Sequence, residues 1–416
     1  MQESHWQCTL LKMRNTRPST ILRRAIVLAF AFASAVPAVA SASPSAPSAP
    51  QDVLVLSGRY RFVVSWTAPA SNGGSAITGY VATATPTGGG TSRTCTAAPS
   101  VSRCTISGFP TSQIEYSITV RANNAIGNGT SATPVVRTTY FHPSAPSNLS
   151  LSGRNFSSWD LSYVNFSGAD LSNANFSGSN LTGAYFKNTT ITNGNFSNTV
   201  LNGLISQNVT GSPATTRPGY QNIGGFIVGP SVNLWGMNLA GLDLSNVNLW
   251  GAQLGSANLS NTNLFKANLS YTYLQNANLS GASATRLNLR GSVMNGANVS
   301  NVNLSTAFFG AKMRGLTITS SGTTFPANYT TVNSNLVGPD MIQYQANFAG
   351  ANLSGLNLSN SNFWLADLTG ANLNNVNLSS SDLRANLTGA YGSGITGTVG
   401  KITPGFQIQG GVLGNS

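Results

Sequence analysis

The chain has 416 residues, of which 41% are hydrophobic and only 7% charged, with 44 glycines, three cysteines and two histidines. So little charge excludes a helix-rich enzyme, whose solvated faces would need the roughly 25% charged residues of an ordinary soluble domain. The net charge of +12 is spread evenly along the chain, which excludes the concentrated basic stripe of a nucleic-acid-binding protein. In chain order, the first element is an export leader over residues 1–42. Arg23 and Arg24 precede the apolar run Ala25–Ala40, and Ala40-Ser41-Ala42 supplies the small-residue exit of a secretory signal peptide. That run contains Pro37 and is short for a membrane span of about 20 residues, and no later apolar stretch reaches spanning length. The expectation is a secreted or extracellular protein, released or associated with the cell surface, with no membrane span after removal of the leader.

Residues 43–145 follow, opening on a Pro/Ser linker (Ser43 to Pro50) with no core-forming residues. Short strand-like segments come next at Val53–Leu56, Phe62–Trp66, Gly79–Thr83, Arg103–Ile106 and Tyr116–Ala122. Gly, Pro and Asn clusters separate them, the signature of an all-β sandwich. Once Cys8 leaves with the leader, Cys95 and Cys104 remain, an even count that suits an oxidising compartment. They are expected to form a disulfide across a turn containing Ala97, Ala98 and Pro99. Metal ligation lacks partners, because His142 is the single histidine after the leader.

Three segments carry a family resemblance: Val64-Ser65-Trp66-Thr67-Ala68-Pro69, Ile77-Thr78-Gly79-Tyr80 and Tyr116 through Asn124. They resemble a fibronectin type III domain. The resemblance implies that Trp66 fills the core between the sheets, that Tyr116 is the tyrosine corner, and that the domain serves spacing or protein contact rather than chemistry.

Beyond residue 146 an apolar residue recurs at every fifth position. It does so from Phe156 to Leu201, from Leu234 through Phe309 with a slip of one to Met313 and Ile318, and from Phe348 to Leu383 with a slip to Leu387. A period of five fits neither a helix of 3.6 residues per turn nor a strand alternating by two. It fits a coil with four sides, each side one five-residue unit, so that residue i lies under residue i+20. The large residue and the small one two places earlier, as in Ala257 before Leu259, are expected to point inward. Units such as Ala257-Asn258-Leu259-Ser260-Asn261 resemble the pentapeptide-repeat family, which implies a right-handed quadrilateral β-helix. Trp159 and Leu287 in small inward slots, and Ala284 in a large one, are expected to distort their rungs. Together the parts resemble exported bacterial proteins with a fibronectin type III domain followed by a pentapeptide-repeat domain.

The runs 156–201, 234–318 and 348–387 are separated or closed by the segments 202–232, 319–345 and 388–416. These segments repeat one another: Pro218-Gly219-Tyr220-Gln221 matches Pro404-Gly405-Phe406-Gln407, and Ile227-Val228-Gly229-Pro230 matches Leu336-Val337-Gly338-Pro339. Gly, Pro and an aromatic residue suit a protruding hairpin or a flanking strand that covers a coil end.

Catalytic and metal sets are not legible. Asp160, Asp170, Asp243, Asp367 and Asp382 all sit just before a large residue, none twenty residues from another. They therefore do not stack as a carboxylate pair or a metal row would. No nucleophile–His–acid set and no phosphate-binding glycine pattern exists. No catalytic residue, cofactor or metal is expected. The candidate binding surface is Trp250 with Tyr271, on consecutive coils of one face, and Tyr273 round the corner. The expected function is a non-enzymatic structural or interaction protein: a β-helical rod on a fibronectin-type spacer, with cell-wall polymer or a surface protein as partner. The alternatives are a secreted carbohydrate-associated accessory protein or hydrolase, disfavoured by the missing acid pairs, and a topoisomerase-inhibiting DNA mimic of the kind the family resemblance suggests. The second would require an acidic cytoplasmic rod.

Overall fold

The computed structural model describes residues 43–139, 148–309, 313–314 and 322–416, and within these it is all-β. The expected leader and the segment containing His142 lie outside the described residues.

Residues 51–138 form a sandwich of eight strands: β1 (Gln51–Gly58), β2 (Arg61–Thr67), β3 (Ile77–Pro86), β4 (Arg93–Ala97), β5 (Arg103–Ser107), β6 (Glu115–Asn124), β7 (Asn128–Ser131) and β8 (Val135–Thr138). One sheet runs β1-β2-β5, and the other runs β4-β3-β6 with β7 and β8 both pairing with β6. Val55, Phe62, Val64, Trp66, Ile106, Tyr116, Ile118 and Val120 fill the space between them. Trp66 packs against Tyr80 with ring centroids 5.2 Å apart. Tyr116 lies edge-on to Phe62 and Phe109, at 5.8 and 4.7 Å. Cys95 and Cys104 are disulfide-bonded with Cα atoms 6.0 Å apart. The bonded strands, β4 and β5, belong to different sheets, so the disulfide staples the sandwich shut at one side.

Beyond the sandwich, parallel bridges join residues twenty positions apart, as in Asn258↔Asn278 and Asn268↔Asn288. In the regular units each bridge sits on the residue just before a large apolar one. The hydrogen bonds follow the same period: Leu259 N–H donates to the Asn278 carbonyl at 2.6 Å, and Asn278 N–H donates back to the Ala257 carbonyl at 2.9 Å. Residues twenty positions apart, the length of four five-residue units, are therefore strand neighbours, and such strands stack about 4.8 Å apart.

The five positions of a unit have separate physical jobs. The large residue is buried, Leu259 and Leu269 completely, and so is the small residue two places before it, Ala257 and Ala267. Where that small residue is Thr or Ser, its hydroxyl in several units donates to the carbonyl of the preceding large residue, as Thr262 does to Leu259 and Thr272 to Leu269, both at 2.6 Å; Thr189 and Ser361 find other carbonyls, and Ser179 Oγ is buried without a partner. The hydroxyls of Thr262 and Thr272 are tolerated there because they are paired. The second residue after the large one turns the corner with a left-handed backbone: Asn246, Asn261 and Asn276 have φ of 59, 56 and 57°. Asn tolerates this region far better than branched residues do. Interior aromatics stack in register in the first run, where Phe156, Phe176 and Phe196 lie face to face at successive centroid distances of 5.0 Å.

The irregular units show how the pattern bends. Trp159 is half-buried, edge-on to Phe156 at 5.2 Å, with the Arg103 guanidinium of the sandwich 5.1 Å over its face. Leu287 and Ala284 are both buried, so the large residue in a small slot offsets the small residue in a large one. Ser283 bridges to Asn263, but among the described residues no bridge joins it to Asn303.

The stack continues through the repeated segments. Ile205 bridges Asn233 across 28 residues, and the same column then runs Asn233↔Gln253↔Tyr273↔Val293. Met313 pairs with Met341, again 28 residues on, and Ile342↔Asn362↔Asp382 follows. The first two segments are thus enlarged coils rather than ends. Their surplus forms antiparallel hairpins, Gln221–Ile223 with Phe226–Val228 and Thr330–Val332 with Asn335–Val337; a third joins Phe406–Gln409 to Val412–Asn415. Tyr220 OH donates to the Pro230 carbonyl at 2.8 Å, and Tyr329 OH to the Pro339 carbonyl at 3.2 Å. A Cβ on Gly229 or Gly338 would fall 2.3 Å from the Tyr220 or Tyr329 ring, which is why glycine precedes the proline in both. The slip at Leu387 appears as bridges nineteen residues apart, such as Asn372↔Tyr391.

Candidate functional site

The outward residue before each large one carries the polar chemistry of the stack. Asn238, Asn258, Asn278 and Asn298 form one ladder in which each Nδ2 donates to the Oδ1 one coil earlier, at 3.0, 3.3 and 3.1 Å. Asn248, Asn268 and Asn288 form a second, at 3.0 and 3.1 Å. Each Oδ1 also accepts the N–H two residues on, as Asn258 does from Ser260 at 3.1 Å. The side chain therefore ties its own corner and the neighbouring coil at once.

The five aspartates occupy this same position and do the acceptor part of this work; Asp160 and Asp243 also accept the Nδ2 of Asn180 and Asn263 one coil on, at 3.1 and 2.9 Å. Their carboxylates accept the N–H two residues on, from Ser162, Ser172, Ser245, Thr369 and Arg384. Hydrogen bonds from Ser172 hold Asp170 below the usual carboxylate range; those from Ser245 do the same for Asp243, and those from Thr369 for Asp367. Asp382 is held down first by Arg384, at 2.6 Å. These carboxylates are engaged in turns, and among the described residues no three His, Cys, Asp or Glu side chains gather as a metal site.

The aromatic side chains are the outward groups that the ladders do not use. Trp250 and Tyr271 are 48% and 51% exposed and meet at a centroid distance of 6.1 Å, inclined by 60°. Tyr273 is also exposed, at a bridge position of the neighbouring unit. A second cluster lies in the third run. Tyr344 and Trp364 are exposed, with ring centroids 5.4 Å apart, and the Arg384 guanidinium stands 5.7 Å from the Trp364 ring. These three residues are spaced by twenty and then twenty again, so they form one column across three coils. That spacing is the sequence signal for the cluster, and a search among neighbouring large residues passes over it.

A family model for pentapeptide repeats matches in eight copies, over residues 147–178, 165–203, 231–264, 243–281, 272–310 and 346–384. The fibronectin type III model matches residues 48–138. The chain thus joins a fibronectin type III domain to a following series of pentapeptide repeats, a combination that suggests a structural or interaction protein. Solved structures similar to part of the chain include domains A168–A170 of titin, at 26% identity and a TM-score of 0.21, covering 23% of this chain and 33% of that one. The FN5 domain of Drosophila Lar matches at 24% identity and a TM-score of 0.20, covering 23% of this chain and 97% of that one. A myokine structure matches at 22% identity and a TM-score of 0.20, with coverage of 23% and 99%. No curated protein matches the chain.

Proposed function

We propose that this chain is an exported, non-enzymatic structural or interaction protein whose repeats wind as a right-handed quadrilateral β-helix and whose outward aromatic clusters bind cell-wall polymer. The twenty-residue bridge period with four units per turn supports the square coil. The observation that carries the function is the division of labour among outward side chains. Asn, Asp, Ser and Thr are spent on corners and ladders, while the exposed rings of Trp250 with Tyr271, and of Tyr344 with Trp364, meet on adjacent coils. Exposed aromatic rings suit the apolar faces of a polysaccharide's sugars.

The test is co-sedimentation of residues 43–416 with purified cell walls, beside the variants Trp250→Ala with Tyr271→Ala and Trp364→Ala with Tyr344→Ala. The proposal expects the parent protein to pellet and at least one variant to stay in solution with an unchanged circular dichroism spectrum. A parent protein that remains in the supernatant rejects the wall polymer as ligand.

A further inference from the structure

Inside the stack, the N–H of each bridge residue donates to a carbonyl 21 positions earlier: Asp170 to Leu149 at 2.9 Å, Tyr185 to Val164 at 3.0 Å. Its carbonyl in turn accepts an N–H from the coil before, as Asn180 accepts from Leu161 at 2.8 Å. On the first coil the sandwich fills these places. Asn165 N–H donates to the Ser57 carbonyl of β1 at 2.9 Å. The Asp160 carbonyl accepts Arg61 Nη2 at 3.0 Å. Gly58 forms an antiparallel bridge with Val164, and Arg59 N–H donates to the Tyr163 carbonyl at 3.2 Å. Arg61 Nη1 completes the contact on Asp160 Oδ2 at 2.8 Å.

The apolar surfaces agree with the hydrogen bonds. Along β1 and β2 the residues Val55, Phe62 and Val64 face the sandwich core, whereas Leu54, Leu56 and Val63 belong to the same buried cluster as Leu151, Phe156 and Leu161 of the first coil. β1 and β2 are thus buried on both faces at Leu54–Leu56 and Phe62–Val64, which the solvated outer sheet of a tethered sandwich would not be. β1 is also the outermost strand of its sheet, so its free edge is the one that meets the coil. An uncovered coil end would leave both an open strand edge and an open apolar interior, and solenoids need a terminal unit that closes both.

We propose that the fibronectin type III domain is the N-terminal cap of the repeat stack: β1 acts as the rung before the first coil, and the Leu54, Leu56 and Val63 face closes the interior. In this role the domain is a folding template rather than a spacer, and the coils propagate from it.

Residue-resolved amide exchange on residues 43–416 tests this, with the variants Leu54→Asp/Leu56→Asp and Arg61→Gln. Both sites lie on the outer face of the sandwich, away from its own core. The double variant is expected to speed exchange at Asn165, Asp170 and Asn175 at least tenfold, with the effect fading by Asn258 and with Ile118 and Val120 still protected. Arg61→Gln is expected to speed Asn165 several-fold and to leave Ile118 and Val120 unchanged. If the double variant unfolds the sandwich as well, Arg61→Gln decides. Wild-type protection of the first coil in a variant whose sandwich is intact overturns the proposal.

Discussion

The asparagine ladders make a prediction that runs in both directions. Asn258 donates Nδ2 to Asn238 Oδ1 at 3.0 Å while its own Oδ1 accepts Ser260 N–H and Asn278 Nδ2. Asn258→Asp keeps both acceptor contacts and loses the donor, leaving a carboxylate oxygen against the Asn238 carbonyl oxygen. A neutral hydrogen bond contributes about 0.5–1.5 kcal/mol net, and facing two acceptors costs more than removing the bond, so the substitution is expected to destabilise by ~2 kcal/mol. At Asp367 the opposite holds. It bridges Asn347, whose Oδ1 accepts Ala349 N–H, but a carboxylate has no proton to donate across the rung. Asp367→Asn therefore adds the missing ladder bond and is expected to stabilise by ~1 kcal/mol. Urea unfolding followed by circular dichroism reads both changes as shifts in midpoint at constant slope. If Asn258→Asp is neutral and Asp367→Asn is neutral or destabilising, the ladders are not a source of stability.

Four further outcomes follow from the same geometry. Leu259 is completely buried, and since truncating such a leucine alone costs roughly 2–5 kcal/mol, Leu259→Asp, which also buries an unpaired carboxylate, should abolish the sigmoidal melt of several coils by circular dichroism. Gly229→Ala should displace the Tyr220 ring and cost about 1–3 kcal/mol, against ~1 kcal/mol for Tyr220→Phe, a difference visible in amide exchange across the first hairpin. Replacing both Cys95 and Cys104 by Ser removes a cross-link spanning nine positions, and the chain-entropy account puts the loss of sandwich stability at about 2.5–3 kcal/mol, measurable by chemical denaturation. Burial pulls Asp160 upward, but Arg61 and Ser162 outweigh it and bring its pKa down to about 2. Its contribution to docking is therefore fully present above the unfolded carboxylate range and lost as pH falls through about 2. The protection factor at Asn165, taken relative to the intrinsic exchange rate at each pH, should fall over that window, and Asp160→Asn should remove most of that fall.

Much of the repeat was legible in the sequence because burial sets a strict period: the large and small inward positions follow from apolar residues at every fifth place. The corner position was equally readable in retrospect, since Gly or Asn recurs two places after the large residue and the backbone there is left-handed. The second cluster, Tyr344 with Trp364 and Arg384, needed a comparison at twenty rather than five. The docking of the sandwich was harder to see. Val53-Leu54-Val55-Leu56 and Phe62-Val63-Val64 pass for ordinary half-exposed strands, yet both are continuously apolar, the mark of a strand buried on two faces. Trp159 carried the same message: it departs from the repeat because Arg103 of the sandwich lies over it. The 202–232 and 319–345 segments are expected to separate or close the runs with a protruding hairpin or a flanking strand; each contains a hairpin, and residues on either side of it, 28 apart, pair. Nothing local in the sequence encodes that long-range register.

The claim that the stack continues through the first repeated segment can be tested with a cross-link. Ile205 and Asn233 bridge across the first enlarged coil, at a strand spacing of about 4.8 Å that lies within the Cα range of a disulfide. Cysteines placed at both positions in residues 43–416 are expected to oxidise to a new disulfide with the melting curve preserved or raised, as a control pair at Asn258 and Asn278 should. A pair that stays reduced while the control pair oxidises would mean that the first run ends at its hairpin, and the continuous stack would be wrong.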